Sequence, residues 1–382
     1  MDCPCKSFSS LTRAYLSLLI VNISIRIFIF RQVIMANQSL ANRYRPSDFD
    51  SVVGQGVVVD IVRKMCESGE LSNRNFLFTG PAGCGKTSLG RLIAKSLNGS
   101  LENVIEIDAA SHSSVDDARE IVQQASQFPI GTKYKIFLID EIHAVSASFW
   151  AAMLKCLEEQ TGSTIFIMCT TNPEKIPATI ISRVQSFKLS KISTANIQKR
   201  LKFIMDSEIK EGHEFTYTDD ALSYIARLSG GGLRDAITSL DKCLAFGNDV
   251  TTELVEKALD LPNYDDYFNL LNGLVRKNNA EITTTIDTVY NSGTNFIKWF
   301  EGFHSFLCNI VKYVFLKDIS RTMIPPHYAE KLAKYNEQHA FICLKLANVI
   351  MTMNKDLKST QYQLETAMTY LCVPAIPKKE GQ

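Results

Sequence analysis

No Cys-x-x-Cys pair occurs anywhere in the 382 residues, although ten cysteines are scattered through them, several inside apolar runs. Spacing of that kind excludes a zinc ribbon or a dithiol redox motif and fits buried, reduced thiols. Charge of one sign is lacking too. Lys and Arg number 41 against 40 Asp and Glu, a net of +1. No global basic field marks a nucleic-acid binder, so any such contact must come from a local patch or from backbone N–H groups. The one long apolar stretch, "YLSLLIVNISIRIFIF" near the N-terminus, is interrupted by Arg26 and falls short of the ~20 residues a membrane helix needs. Low-complexity linkers and internal repeats are also missing, which removes solenoids and disordered scaffolds.

What remains is ordinary globular composition, 46% hydrophobic and 21% charged, at a length that gives two or three domains. Residues 1–34 stand apart. They alternate with period two in "ISIRIFIF" and offer no small-residue cleavage site, so the expected reading is an upstream start or a disordered extension, with the protein proper beginning at Met35 and a targeting peptide as the alternative.

From Asn75 to Phe187 the apolar runs "FLFT" (76–79), "VIEID" (104–108), "IFLID" (136–140) and "IFIMCTT" (165–171) alternate with helical patterns. Continuous apolar strands separated by helices predict an α/β domain, a parallel sheet covered by helices on both faces. Active residues in such sheets follow the strands. After about Ser190 the strands stop. Helical periodicity then runs through 194–209, 218–229, 232–246 and 251–260, and a second helical set spans about 264–373 with a break at Pro325–Pro326. "IPATIISRVQSF" (176–187) reads as an apolar helix carrying one charge, Arg183.

"GPAGCGKT", Gly80 to Thr87, fits G-x-x-x-x-G-K-[ST] directly after the first run and before the helix "SLGRLIAKSL". In that pattern Gly80, Pro81, Ala82, Gly83, Cys84, Gly85, Lys86, Thr87 and Ser88 wrap a phosphate chain. Backbone N–H groups face the oxygens, Lys86 reaches the outer phosphates, and the Thr87 hydroxyl holds Mg²⁺. Cys84 sits at a variable position and is read as packing. In "KIFLIDEIH" Asp140 would join the Mg²⁺ shell and Glu141 would orient and deprotonate water. His143 reads as a helix-start or surface residue. Thr171, at the end of the fourth run, is placed to touch the γ-phosphate or the water. Arg234 follows three glycines, which predicts close backbone approach to something.

These stretches, with "LANRYRPSDFDSVVGQ" and "VIEIDAASHSSVDDAREI" among them, occur in an order that closely resembles the gamma/tau subunits of bacterial-type DNA polymerase III clamp loaders, AAA+ ATPases. The likeness runs from about Leu40 to about Val373. It implies an AAA+ P-loop ATPase domain at 35–190, an all-α lid at 191–262, an all-α collar for oligomerisation at 263–375 and a polar tail at 376–382. It implies an ATP-hydrolysing motor that opens a sliding clamp and loads it on primed DNA, cofactors ATP and Mg²⁺, and a cytoplasmic site of action in a bacterial cell, whether cell- or phage-encoded. The implied partners are a five-membered ring with delta- and delta-prime-type subunits, the clamp and primer-template DNA, with no membrane. By position the resemblance makes Asp140 and Glu141 the Walker B pair, Thr171 sensor 1, Arg234 sensor 2 and Arg183 a finger reaching the neighbouring subunit's ATP. Arg45 and Val53 fall in the segments that enclose adenine. Ser111, His112, Ser113 and Arg119 fall at the helix that tracks DNA.

Three departures follow. No cysteine-bearing module interrupts "KSLNGSLENVIEID", so no zinc is expected. The DNA-tracking helix begins acidic, which leaves helix N–H groups with a smaller charge contribution. Val184 stands where the family has a cysteine and should keep the packing that aims Arg183. The end of the chain just past the collar makes the short gamma form the better comparison. Two other readings are a helicase-type replication or recombination motor, which would bring a basic duplex-binding module, and a ring member that scarcely hydrolyses ATP, which would have gaps in its Lys86, Thr87, Asp140 and Glu141 set.

Overall fold

The computed structural model describes residues 38–69, 75–101, 104–158 and 163–353. The extension 1–34, the tail 376–382 and the last part of the expected collar lie outside these residues.

The chain divides into two compact units. The first comprises the residues up to Ile192 together with Gly232–Asp241, and the second comprises Ser193–Gly231 and the residues from Lys242 onward. In the first unit, β1 (Asn75–Thr79), β2 (Val104–Asp108), β3 (Lys135–Asp140), β4 (Thr164–Thr170) and β5 (Gln185–Lys188) form one sheet in the order β2-β3-β4-β1-β5. Every pairing is parallel.

The apolar runs are continuous because both faces are covered. Phe76, Phe78, Ile136, Leu138, Ile165 and Ile167 point into one core with α1 (Gly56–Ser68) and α2 (Lys86–Asn98). The alternate residues Leu77, Phe137, Ile139, Phe166 and Met168 point into a second core with α3 (Val115–Ala125) and α4 (Ala147–Glu158). This is the α/β P-loop class expected from the sequence.

One expectation needs correction. The stretch 176–187 is not a helix throughout: a single helical turn, Ala178–Ile181, gives way to β5 on the edge beside β1. The alternating exposure along β5 is the period-two signal of an edge strand, and it was masked by the apolar residues before it. Strands also persist after Ser190 in minimal form, where Thr216–Tyr217 pairs with Asp249–Val250.

The second unit is otherwise helical. It opens with α5 (Thr194–Lys210) and α6 (Asp219–Leu228), and the residues of α7 (Leu233–Phe246) from Lys242 onward belong to it. Beyond α8 (Thr252–Ala258), an aromatic core gathers α9 (Tyr264–Arg276), α10 (Asn279–Asn291), α11 (Phe296–Leu316) and α12 (Glu337–Met353). Tyr267 is buried there and donates its hydroxyl to the Trp299 carbonyl at 2.9 Å. Buried Arg227 of α6 donates to the carbonyls of Thr322 at 2.8 Å and Ile319 at 3.0 Å, so a guanidinium closes the 319–324 loop onto that helix. Among the described residues no helix is long and apolar enough to cross a membrane.

Candidate active site

The carboxyl ends of β1, β3 and β4 meet at one edge of the sheet. Gly80 leaves β1 with φ 149°, and a Cβ there would run into the Leu189 carbonyl oxygen. Gly85, at φ 104°, caps α2 in the left-handed region. Glycine is required at the first position by contact and at the second by backbone angle. The loop so bent turns Lys86 inward. Lys86 is 5% exposed, and its Nζ donates to the carbonyls of Gly80 and Pro81, each at 2.9 Å. A buried ammonium satisfied only by its own loop's carbonyls is a cation that an anion can claim.

Thr87 Oγ1 donates to Asp140 Oδ2 at 2.7 Å, which brings the two expected Mg²⁺ ligands together. Pro81 leads the bend, while Ala82, Gly83, Cys84 and Ser88 line the cleft with Gly85, Lys86 and Thr87. Cys84 is 1% exposed and burial pushes its thiol up, in keeping with a packing role. The cleft, about 350 Å³, is walled further by Tyr44, Arg45, Val52, Val53, Arg234 and Ile237. That volume suits a nucleotide-sized ligand. Arg45 is held below the ordinary arginine range by burial, then by the neighbouring guanidiniums of Arg91 and Arg234. Like charges crowded against a cleft that already holds Lys86 fit a polyanion.

Of the three glycines before Arg234, Gly232 approaches the phosphate loop itself. A Cβ on Gly83 would stand 3.0 Å from Gly232 Cα, and Leu233 N–H donates to the Gly83 carbonyl at 3.0 Å. The start of α7 is thereby fixed to the loop, and Asp241 further along it accepts the Leu40 N–H at 3.2 Å.

Glu141 stands at the end of β3 with φ 46°, a left-handed conformation outside glycine. Such positions cluster where the surroundings impose them. Its Oε2 accepts from Thr171 Oγ1 at 3.0 Å and from Thr171 N–H at 3.3 Å, so base and sensor candidates are joined. His143, read from the sequence as surface or helix start, is the middle residue of a 3₁₀ turn, Ile142–Ala144, and faces this site. Its side chain is 16% exposed, with Nδ1 3.1 Å from Glu141 Oε2 and 3.0 Å from Thr170 Oγ1. No motif marks that contact, because it joins β4 to the turn after β3.

Arg183 is elsewhere. It follows the helical turn at the rim of the sheet, 34% exposed, and pairs through Nε and Nη2 with Glu158 at the end of α4. Its Nη1 donates to the Thr179 carbonyl at 2.7 Å. Val184 is 8% exposed and packs in the core beside Ile180, so the segment presents the arginine outward from a buried footing.

The DNA-tracking candidates Ser111, His112, Ser113 and Arg119 cluster before and within the first turns of α3. There the helix N-terminus is already occupied. Ser114 accepts from Asp117 N–H at 3.2 Å while the Asp117 carboxylate accepts from Ser114 N–H at 2.8 Å, a reciprocal capping box. Arg119 pairs with Asp116 at 2.9 Å. The N–H groups expected to meet phosphate are thus partly taken by the helix's own acids.

A parallel sheet with a phosphate loop after the first strand, an Asp-Glu pair at the end of the third and a polar end to the fourth defines a P-loop nucleotide-binding protein. Comparison with known proteins narrows the class. The family model described as DNA polymerase III, delta subunit matches residues 98–193. The gamma subunit of DNA polymerase III from Buchnera aphidicola (Baizongia pistaciae) is 30% identical over 79% of this chain and 88% of its own length. That from Buchnera aphidicola (Schizaphis graminum) is 30% identical over 82% of this chain and 92% of its own length. DNA polymerase III subunit tau from Bacillus subtilis is 29% identical over 88% of this chain, which spans 64% of the tau subunit. Among solved structures, a Thermotoga maritima RuvB Holliday junction branch migration motor shares 20% identity and a TM-score of 0.48 over 61% of this chain and 79% of that one, a likeness too slight to bear on function. The chain belongs to the gamma/tau family of DNA polymerase III subunits.

Proposed function

We propose that this chain is an ATP-hydrolysing motor subunit of a clamp loader, which opens a sliding clamp and places it on primed DNA. The observation that carries the reading is the convergence of Lys86, Thr87, Asp140 and Glu141 on one cleft walled by Arg45 and Arg234, with Thr171 bonded to Glu141. Lys86 and Arg234 bind the phosphates, and Arg45 and Val53 with the apolar walls enclose the base. Thr87 and Asp140 would hold Mg²⁺, which would neutralise phosphate charge. Glu141 accepts the proton of the attacking water, and Thr171 orients that carboxylate. Arg183 lies outside this cleft and serves the neighbouring subunit's nucleotide, the role of an arginine finger. Residues 35–190 form the ATPase domain, 191–262 the lid and 263–375 the collar that joins the ring with delta- and delta-prime-type subunits. Ser111, His112, Ser113 and Arg119 meet the primer-template backbone.

We propose no structural zinc. In sequence only residues 99–103 separate α2 from β2. Among the described residues, the grouping of possible metal ligands is Glu208, Glu211 and His213, without cysteine.

The test is the ATPase rate of the chain assembled with its ring partners, with and without clamp and primed DNA. Stimulation by clamp and DNA together is expected. Hydrolysis indifferent to the clamp would favour a helicase-type motor, and ATP binding without turnover would favour a structural ring member.

A further inference from the structure

Glu141 is the group the hydrolysis reading asks to take a proton, and what aims it is a matter of geometry. The Thr171 N–H and hydroxyl both lie against the same oxygen, Oε2, the hydroxyl sharing its one hydrogen with Asn172 Oδ1 at 2.9 Å. His143 Nδ1 stands 3.1 Å from that oxygen as well. An imidazole lone pair at that distance would oppose a carboxylate lone pair, so Nδ1 carries the hydrogen. Thr170 Oγ1, fully buried, lies 3.0 Å from Nδ1 and accepts it, and the same hydroxyl oxygen accepts the Asn172 N–H at 3.0 Å. The ring is therefore anchored by the end of β4 and presents a positive edge to Oε2. Oε1 takes none of these donors.

We infer that His143 is a positioning residue for Glu141: anchored on Thr170, it fixes Oε2 so that Oε1 is the oxygen offered to the attacking water. The inference rests on the ATP-hydrolysis reading of this cleft. Nothing in the arrangement asks His143 to touch the nucleotide, so its loss belongs in turnover and not in binding.

The experiment uses the full chain assembled with its ring partners, clamp and primed DNA, and measures kcat together with the Kd of a fluorescent ATP analogue. His143→Leu is expected to lower kcat about 10- to 100-fold, the usual effect of removing an outer partner that orients a reacting group, with Kd moved by less than about twofold. His143→Asn, whose amide nitrogen takes the place of Nδ1, is expected to recover kcat to within about fivefold of the native value. Thr170→Val, which removes the anchor, should also lower kcat at unchanged Kd, and it tests the same link should the leucine variant fail to fold. Glu141→Gln separates the two claims. If it abolishes turnover while His143→Leu keeps native kcat, the positioning role is overturned and hydrolysis at this cleft stands. If Glu141→Gln turns over normally, both fall. A leucine variant that loses binding as much as turnover, with no recovery by asparagine, assigns His143 a purely structural role and overturns the inference.

Discussion

Lys86 and Gly80 show how much the cleft depends on single side chains. The lysine is buried among carbonyls of a loop whose first glycine has no space for a Cβ beside Leu189. Gly80→Ala should therefore cost about 1–3 kcal/mol through overpacking and strain and remove most ATP affinity, read by thermal unfolding and by binding of a fluorescent ATP analogue. An alanine variant that bound ATP normally would show that the loop has slack. Much of this was legible in the sequence, because wrapping a phosphate fixes residue types at fixed spacing. His143 was not, since its partner Thr170 lies on another strand, 27 residues on. Nor was Glu158, which meets Arg183 across 25 residues of chain.

Among the elements, α3 is the one whose sequence and proposed task conflict. Asp116 and Asp117 occupy its first turn, stabilising the helix dipole while occupying or repelling what a phosphate would use. Replacing both with asparagine should tighten binding of the assembled complex to primed DNA several-fold and steepen its salt dependence, measured by fluorescence anisotropy across a salt series. Unchanged affinity and slope would remove this helix from the DNA path. Strands β1 to β4 were legible as mainly apolar runs, whereas β5 was not. Its "QSFK" is a short half-exposed edge strand placed after apolar residues that read equally well as helix. Periodicity over four residues does not separate the two.

At the scale of the molecule, the helical unit carries a charge it would do better without. Glu256 is pushed up to about 7 by burial, with Glu253 and Asp265 adding to the shift, and its Oε1 is buried without a hydrogen-bond partner. The fold thus favours the protonated carboxyl. Above about pH 7 the folded state bears a penalty that the unfolded chain, with its ordinary value of 4.5, does not. The penalty shrinks as pH falls from 7 towards 4.5 and is gone below that. Glu256→Gln should raise stability at pH 8 by about 1–3 kcal/mol and flatten the Tm profile across that window. A variant profile parallel to the native one would show that Glu256 is solvated.

Arg183 is proposed to complete the active site of a neighbouring subunit, and assembled rings report on that role. With clamp and primed DNA present, Arg183→Ala should leave ATP binding nearly intact and lower hydrolysis by about 10³-fold or more. Native hydrolysis by the Arg183→Ala ring would contradict the account.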